Sequence, residues 1–286
     1  MPLPVFEIAC VAVVVLTLAA MARTRAPREL VLDYAALAAA AFAGEDSCVA
    51  LYRFYAYADG WHARLHHVPL LVPLIWPLVI LSARGVTGSL WPAVGRLRPL
   101  LVGAVVAFDA SLVEVVAVRS GLWSWAEPGH LGVPLIGILG WGYFAAGADW
   151  ALSRGWRLRR AALLVVAPAV AHALILASWW GLFRWTLRGD FGAWSSVGMA
   201  LVGAAALASV VVARARGHAI APSVAGPRMI AAALFFALLL TTAPESAPLW
   251  AHVASVAVPY LAATSLRERR STTAALRERR STAAPL

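Results

Sequence analysis

Four acids stand where acids are costly. Glu45 and Asp46 fall late in one long apolar run, and Asp109 and Glu114 lie inside another. Ionisable side chains at membrane depth face a bundle interior or a cavity and are functional candidates by default. Aromatic residues gather beside them: Tyr52, Phe54, Tyr55, Tyr57 and Trp61 follow the first run, and Trp123 and Trp125 follow the second. A carboxylic acid in an apolar pocket has its pKa raised, because the ion is desolvated. It can then deliver a proton near neutral pH. An alkene protonated in this way becomes a carbocation. Aromatic faces stabilise such a cation, and water or an internal double bond captures it. That is the hydration or cyclisation of an isoprenoid chain, and it needs no metal and no redox cofactor. The plainer reading is that these acids pair with Arg53, Arg64 or Arg119 and that the aromatics form an ordinary interfacial belt. Asp109 and Glu114 are separated by about 140° on a helix. They do not share one face, although a wide cavity would admit both.

Other ionisable residues carry less. Glu7 lies one turn into an apolar run, Asp33 at the start of one and Asp149 at the end of one. His62, His66 and His67 form H-x-x-x-H-H, similar to one histidine box of a membrane di-iron oxygenase. Such enzymes need about three boxes. Here His130, His172, His218 and His252 are single and far apart, so no metal site is expected. His172 reads as a satisfied interior residue. Cys10 and Cys48 read as small buried hydrophobes, with neither a C-x-x-C pair nor a disulfide framework.

The elements that must position these residues follow from hydropathy. Hydrophobic residues make up 62% of the 286 positions and charged residues only 13%, against about a quarter charged in a soluble domain. The apolar runs approach the roughly 20 residues that cross a hydrocarbon core as a helix. They are continuous, whereas barrel strands would alternate. The expected fold is therefore all-α, a polytopic transmembrane bundle of about eight or nine spans. Spans are placed near 3–22, 31–51, 68–83, 99–118, 131–152, 160–182, 196–213, 229–243 and 247–264. Pro244 and Pro248 leave open whether the last two are separate or one re-entrant hairpin. The first span lacks a basic leader and a small-residue cleavage site, so it does not read as a cleaved signal peptide.

Arginine sets the expected orientation. Arg23, Arg25 and Arg28 follow the first span, and Arg84, Arg96 and Arg98 follow the third. Arg154, Arg157, Arg159 and Arg160 follow the fifth, Arg214, Arg216 and Arg228 follow the seventh, and six more lie in the tail. Only Arg53, Arg64, Arg119, Arg184 and Arg188 fall on the other side. The positive-inside rule then places the N-terminus outside and the C-terminus in the cytoplasm of a bacterial inner membrane, with all four acids in the outer half. Residues 1–264 form the membrane domain. The tail 265–286 repeats LRERRST and reads as a disordered basic segment on anionic lipid.

Several classes are excluded. The formal net charge of +10 comes without any Lys, so no Schiff base with a carbonyl ligand and no Lys-dependent phosphate loop is available. The basic charge reflects topology and anionic lipid, not nucleic acid. No G-x-S-x-G, G-x-G-x-x-G, H-E-x-x-H or Asp-rich diphosphate motif occurs.

Two segments carry a family resemblance. The first runs from Glu45-Asp46 to Tyr52-Arg53-Phe54-Tyr55-Ala56-Tyr57 and on to His67-Val68-Pro69, Pro73 and Trp76. The second comprises Asp109-Ala110, Gly121-Leu122-Trp123-Ser124-Trp125 and Gly132-Val133-Pro134 through Gly137 to Gly140-Trp141. Together they resemble the membrane carotenoid biosynthesis family that includes bisanhydrobacterioruberin hydratase. Order and approximate spacing agree over about 36–145. Ala110 stands where the family pattern has Pro, Gly137 where it has Asn, and Tyr52-Arg53-Phe54 where it has Phe-Gly.

The resemblance implies hydration of a terminal double bond of a linear carotenoid, a hydro-lyase type of reaction without a cofactor. Glu45 or Asp109 would donate the proton, and Asp46 or Glu114 would position water. Tyr52, Tyr55, Tyr57, Trp76, Trp123, Trp125 and Trp141 would line the polyene slot. The expected partners are the lipid bilayer and a hydrophobic isoprenoid, with self-association or contact with pathway enzymes open. A proton-coupled transporter using the same acids, or a non-catalytic membrane scaffold, would fit the acids without the chemistry.

Overall fold

The computed structural model describes residues 2–127, 129–154, 158–186 and 192–264. Arg157, Arg188 and the tail 265–286 lie outside the described residues. Among the described residues nine long helices follow the apolar runs: α1 Leu3–Ala22, α2 Pro27–Tyr52, α3 Leu71–Leu90, α4 Arg98–Arg119, α5 Leu135–Leu152, α6 Arg159–Ile175, α7 Ala193–Ala215, α8 Pro222–Thr242 and α9 Ala247–Thr264. A π-helical stretch, Leu176–Phe183, extends α6. Eight of these helices, α1 to α8, with α6 counted together with its extension to Phe183, are long and apolar enough to cross a membrane, which marks a multi-pass membrane protein. Helix α9 runs through Pro259 and is not one of these eight. Helices α8 and α9 are distinct helices with different partners, α8 packing on α1 and α9 on α7.

Local sequence explains the ends. Proline occupies the first turn of α1, α2, α4 and α8, where its missing N–H costs nothing and its fixed φ suits a helix. Helix α2 stops at Arg53, which adopts φ 53° and donates its backbone N–H to Val49. The chain then turns into a short strand.

Two small strand pairs cap one end of the bundle. Strand β1, Tyr55–Tyr57, pairs antiparallel with β4, Trp123–Trp125. Strands β2, Arg64–Leu65, and β3, Val68–Pro69, form a hairpin turned by His66 and His67. This strand end lies opposite the end where 23–26, 91–97 and 216–221 connect the helices.

Helices α4 and α5 cross with backbones almost touching. A Cβ on Gly103 would lie 2.6 Å from the Gly142 carbonyl oxygen, and one on Gly142 would lie 2.9 Å from that of Gly103. Small residues at such a crossing are how membrane helices gain packing without a hydrophobic driving force. The crossing holds Trp141, next to Gly142, beside the helix that carries Glu114.

Ion pairs fasten the end opposite the strands. Asp149 on α5 is fully buried and pairs with Arg84 of α3. Asp33 of α2 accepts from Arg160 Nε of α6 at 2.7 Å, and Glu29 pairs with the same Arg160. Asp33 and Asp149 thus hold helices together. Near the strands, Glu7 of α1 binds the His62 backbone N–H at 3.0 Å and also the His62 ring.

Candidate active site

Strand geometry brings the aromatics together. In β1 and β4 alternate residues face the same way, so Y-x-Y and W-x-W each present a pair of rings to one side. The register sets Tyr55 opposite Trp125 and Tyr57 opposite Trp123. Ring centroids in these cross-strand pairs are 4.8 and 5.9 Å apart. Flanking bonds lengthen the ladder: Ala126 N–H donates to Phe54 O at 2.6 Å, and Ala58 N–H to Leu122 O at 3.1 Å.

The polar tips of these rings converge on two carboxyls. Glu45 Oε2 accepts from Tyr57 OH at 3.1 Å and from Tyr55 OH, while Oε1 accepts from Trp76 Nε1 at 2.8 Å. Glu114 Oε2 accepts from Trp123 Nε1 at 2.8 Å and Trp125 Nε1 at 3.0 Å, and its Oε1 from Trp141 Nε1 at 2.7 Å. Trp76 and Trp141 stack at 4.3 Å, which joins the two halves into one cage. Among the described residues neither glutamate has an ion-pair partner, so pairing with Arg53, Arg64 or Arg119 is not what holds them. Burial, and then the Glu45 carboxylate, push the Tyr55 and Tyr57 phenols well above their ordinary range. Both phenols therefore stay protonated and able to donate.

Glu45 and Glu114 border an apolar cavity of about 630 Å³, within the range of small-molecule sites. Tyr55, Tyr57, Trp76, Trp123, Trp125 and Trp141 line it too, and so does Asp109. Asp109 and Glu114 thus share a cavity without sharing a helix face.

Asp109 is held differently. It lies midway along α4, farther from the strand end than Glu114. Its Oδ2 accepts from Arg228 Nη2 at 2.6 Å and its Oδ1 from Tyr260 OH at 2.5 Å. Arg228 also donates to Ser82 Oγ at 2.9 Å and to Tyr260 OH at 2.7 Å. This cluster joins α3, α4, α8 and α9. Arg228 was expected in a loop, but it stands inside α8, whose first turn begins at Pro222. A proline followed by an apolar run was the signal for that earlier helix start. Tyr260 belongs to a helix with no family motif, and nothing in the sequence marked it.

Two expected site residues lie outside the cavity. Asp46, one position after Glu45, turns to the β2–β3 hairpin and accepts from the His67 backbone N–H at 3.1 Å. Tyr52 bonds His172 Nδ1 at 2.7 Å, and His172 Nε2 meets Ser47 Oγ at 2.8 Å, which satisfies that interior histidine. Tyr52 packs against Phe54 and Trp180, not the glutamates.

The departures from the family pattern have local consequences. A Cβ on Gly137 would lie 2.6 Å from Trp125 Cζ2, so the indole occupies the space that an Asn side chain would need. Ala110 lines the cavity beside Asp109.

No curated protein and no solved structure matches the chain. The family described as carotenoid biosynthesis protein matches residues 3–207, well over half of the sequence and the whole of the aromatic cage, and the chain belongs to that family.

Proposed function

We propose that the protein hydrates a terminal carbon–carbon double bond of a linear carotenoid, with Glu45 as the acid. The observation that carries this reading is the pair of glutamates facing one apolar cavity, each held only by neutral aromatic donors. Trp indoles donate and cannot accept, whereas a Tyr hydroxyl does both. Three indoles suit Glu114 to remain a carboxylate. The two tyrosines at Glu45 can turn to accept from its carboxyl O–H, so Glu45 can carry a proton without losing its bonds.

In the proposed reaction the alkene π pair takes the Glu45 proton, forming a C–H bond and leaving a cation on the neighbouring carbon. The Glu114 carboxylate and the ring faces stabilise that charge. Water adds to the cationic carbon, and the proton it sheds returns to the carboxylate pair. One water is consumed and the site is restored. Asp109 is neutralised by Arg228 and is assigned to positioning, not proton donation. The arginine distribution further supports an N-terminus outside and a C-terminus in the cytoplasm of a bacterial inner membrane, with the cage near the outer face.

The test is pigment analysis in a host that makes linear carotenoids. The expected product is heavier than its precursor by one water. An isomer of equal mass would replace hydration by cyclisation through the same cation. An unchanged profile, together with substrate uptake into proteoliposomes driven by a proton gradient, would replace it by transport.

A further inference from the structure

We propose that Asp46, His66 and His67 form a binding site for a divalent first-row transition ion, outside the cavity and at the strand end of the bundle. One ligand atom from each residue lies within 4.8 Å of the others. His66 Nδ1 is 2.9 and 2.8 Å from the two Asp46 carboxylate oxygens. The two imidazole rings meet at 3.8 Å between centroids. Metal bonds of about 2.0–2.2 Å place ligand atoms about 3–4 Å apart, so an ion fits with small side-chain shifts. Two imidazoles and a carboxylate are the donors that zinc and its neighbours in the series prefer.

The backbone supplies a second observation. His66 and His67 make the two-residue turn of the β2–β3 hairpin, and His66 adopts φ 54°. That is a conformation glycine takes readily and histidine rarely. His66 is the turn residue with positive φ, and that conformation aims its ring at Asp46. Both histidines converge on the end of α2. His62 takes no part, because it is turned to Glu7. The His66 side chain is 62% exposed, which leaves coordination positions open to water. A bound ion would clasp the hairpin to the helical turn carrying Glu45, so this is a positioning site, and it stands independently of the reaction proposed above.

The experiment uses the full chain in detergent micelles, stripped with a chelator and then dialysed against Zn²⁺, with metal counted per chain. The expected result is one retained zinc. His66→Gly and Asp46→Asn should each weaken retention at least about tenfold, and His62→Ala should leave it intact. His66→Gly suits the turn, so its loss of zinc reports the missing ligand and not a lost hairpin. Substitution by Co²⁺ should give visible ligand-field absorption that the same two variants abolish. Absence of stoichiometric zinc, or retention that both variants leave unchanged, overturns the proposal and leaves an imidazole–carboxylate hydrogen bond in its place.

Discussion

Glu45 and Glu114 are held by tyrosine and tryptophan, whereas Asp109, Asp149 and Asp33 are held by arginine. Both arrangements satisfy a carboxyl away from water, but they leave different chemistry behind. An acid paired with a guanidinium is already neutralised, and stripping either partner leaves a buried charge. Neutral donors satisfy hydrogen bonds without cancelling charge. A carboxylate in that setting still lacks a counter-ion, and a passing carbocation can serve as one. The Arg84–Asp149 and Arg160–Asp33 pairs share the matched part of the chain with the cage, but the partners of Asp109 do not. Every residue of the cage lies within the family match at 3–207, while Arg228 and Tyr260, which hold Asp109, lie beyond it. In the proposed reaction the chemistry belongs to the cage, and the arginine-paired acids serve assembly.

The largest effect should come from the cage. Glu45→Gln and Glu114→Gln each keep the shape of the site and should reduce hydrated product by about 10²–10⁴-fold, the usual worth of a positioned acid or base. Protein recovered from the membrane should stay at the unmodified level. The reverse pattern belongs to Arg228. Arg228→Ala should destabilise the bundle by about 3–5 kcal/mol, because the Asp109 carboxylate loses its cation and keeps only the Tyr260 hydroxyl. Thermal unfolding in detergent reads that loss.

Smaller changes sharpen the contrast within the aromatic shell. Tyr55→Phe removes a donor to Glu45, a bond to a charged group worth about 1.5–3 kcal/mol, and should slow turnover about tenfold or more. Gly137→Ala pushes the Trp125 ring away from Glu114. Overpacking of this kind costs about 1–3 kcal/mol, and product should fall while protein recovery changes little. Tyr52→Phe is the control: it loses only a neutral bond to His172, worth about 1 kcal/mol, and the product ratio should not move.

Hydropathy made the helices legible, because a run that must cross lipid has to be continuous. The expected span 3–22 coincides with α1, and 247–264 with α9. The strands were not legible. Three-residue segments are too short for an alternation to stand out, so Tyr55, Tyr57, Trp123 and Trp125 read as loop aromatics. Their spacing by two held the information, but only the β1–β4 pairing turns it into a cage. The acids themselves were visible as acids in apolar runs. Their partners were not, since Trp76 lies 31 residues from Glu45 and Tyr260 lies 151 from Asp109. The metal-ligand set was hidden in the same way. H-x-x-x-H-H drew attention to His62, yet the third member that the fold supplies is Asp46, on a different element.

The most direct measurement compares Glu45→Gln with Asp109→Asn in a carotenoid-producing host, with hydrated product normalised to folded protein. Glu45→Gln is expected to make essentially none, while Asp109→Asn retains turnover per folded molecule even where less protein accumulates. Full turnover in Glu45→Gln, or its loss in well-folded Asp109→Asn alone, would contradict the assignment of the chemistry to the aromatic cage.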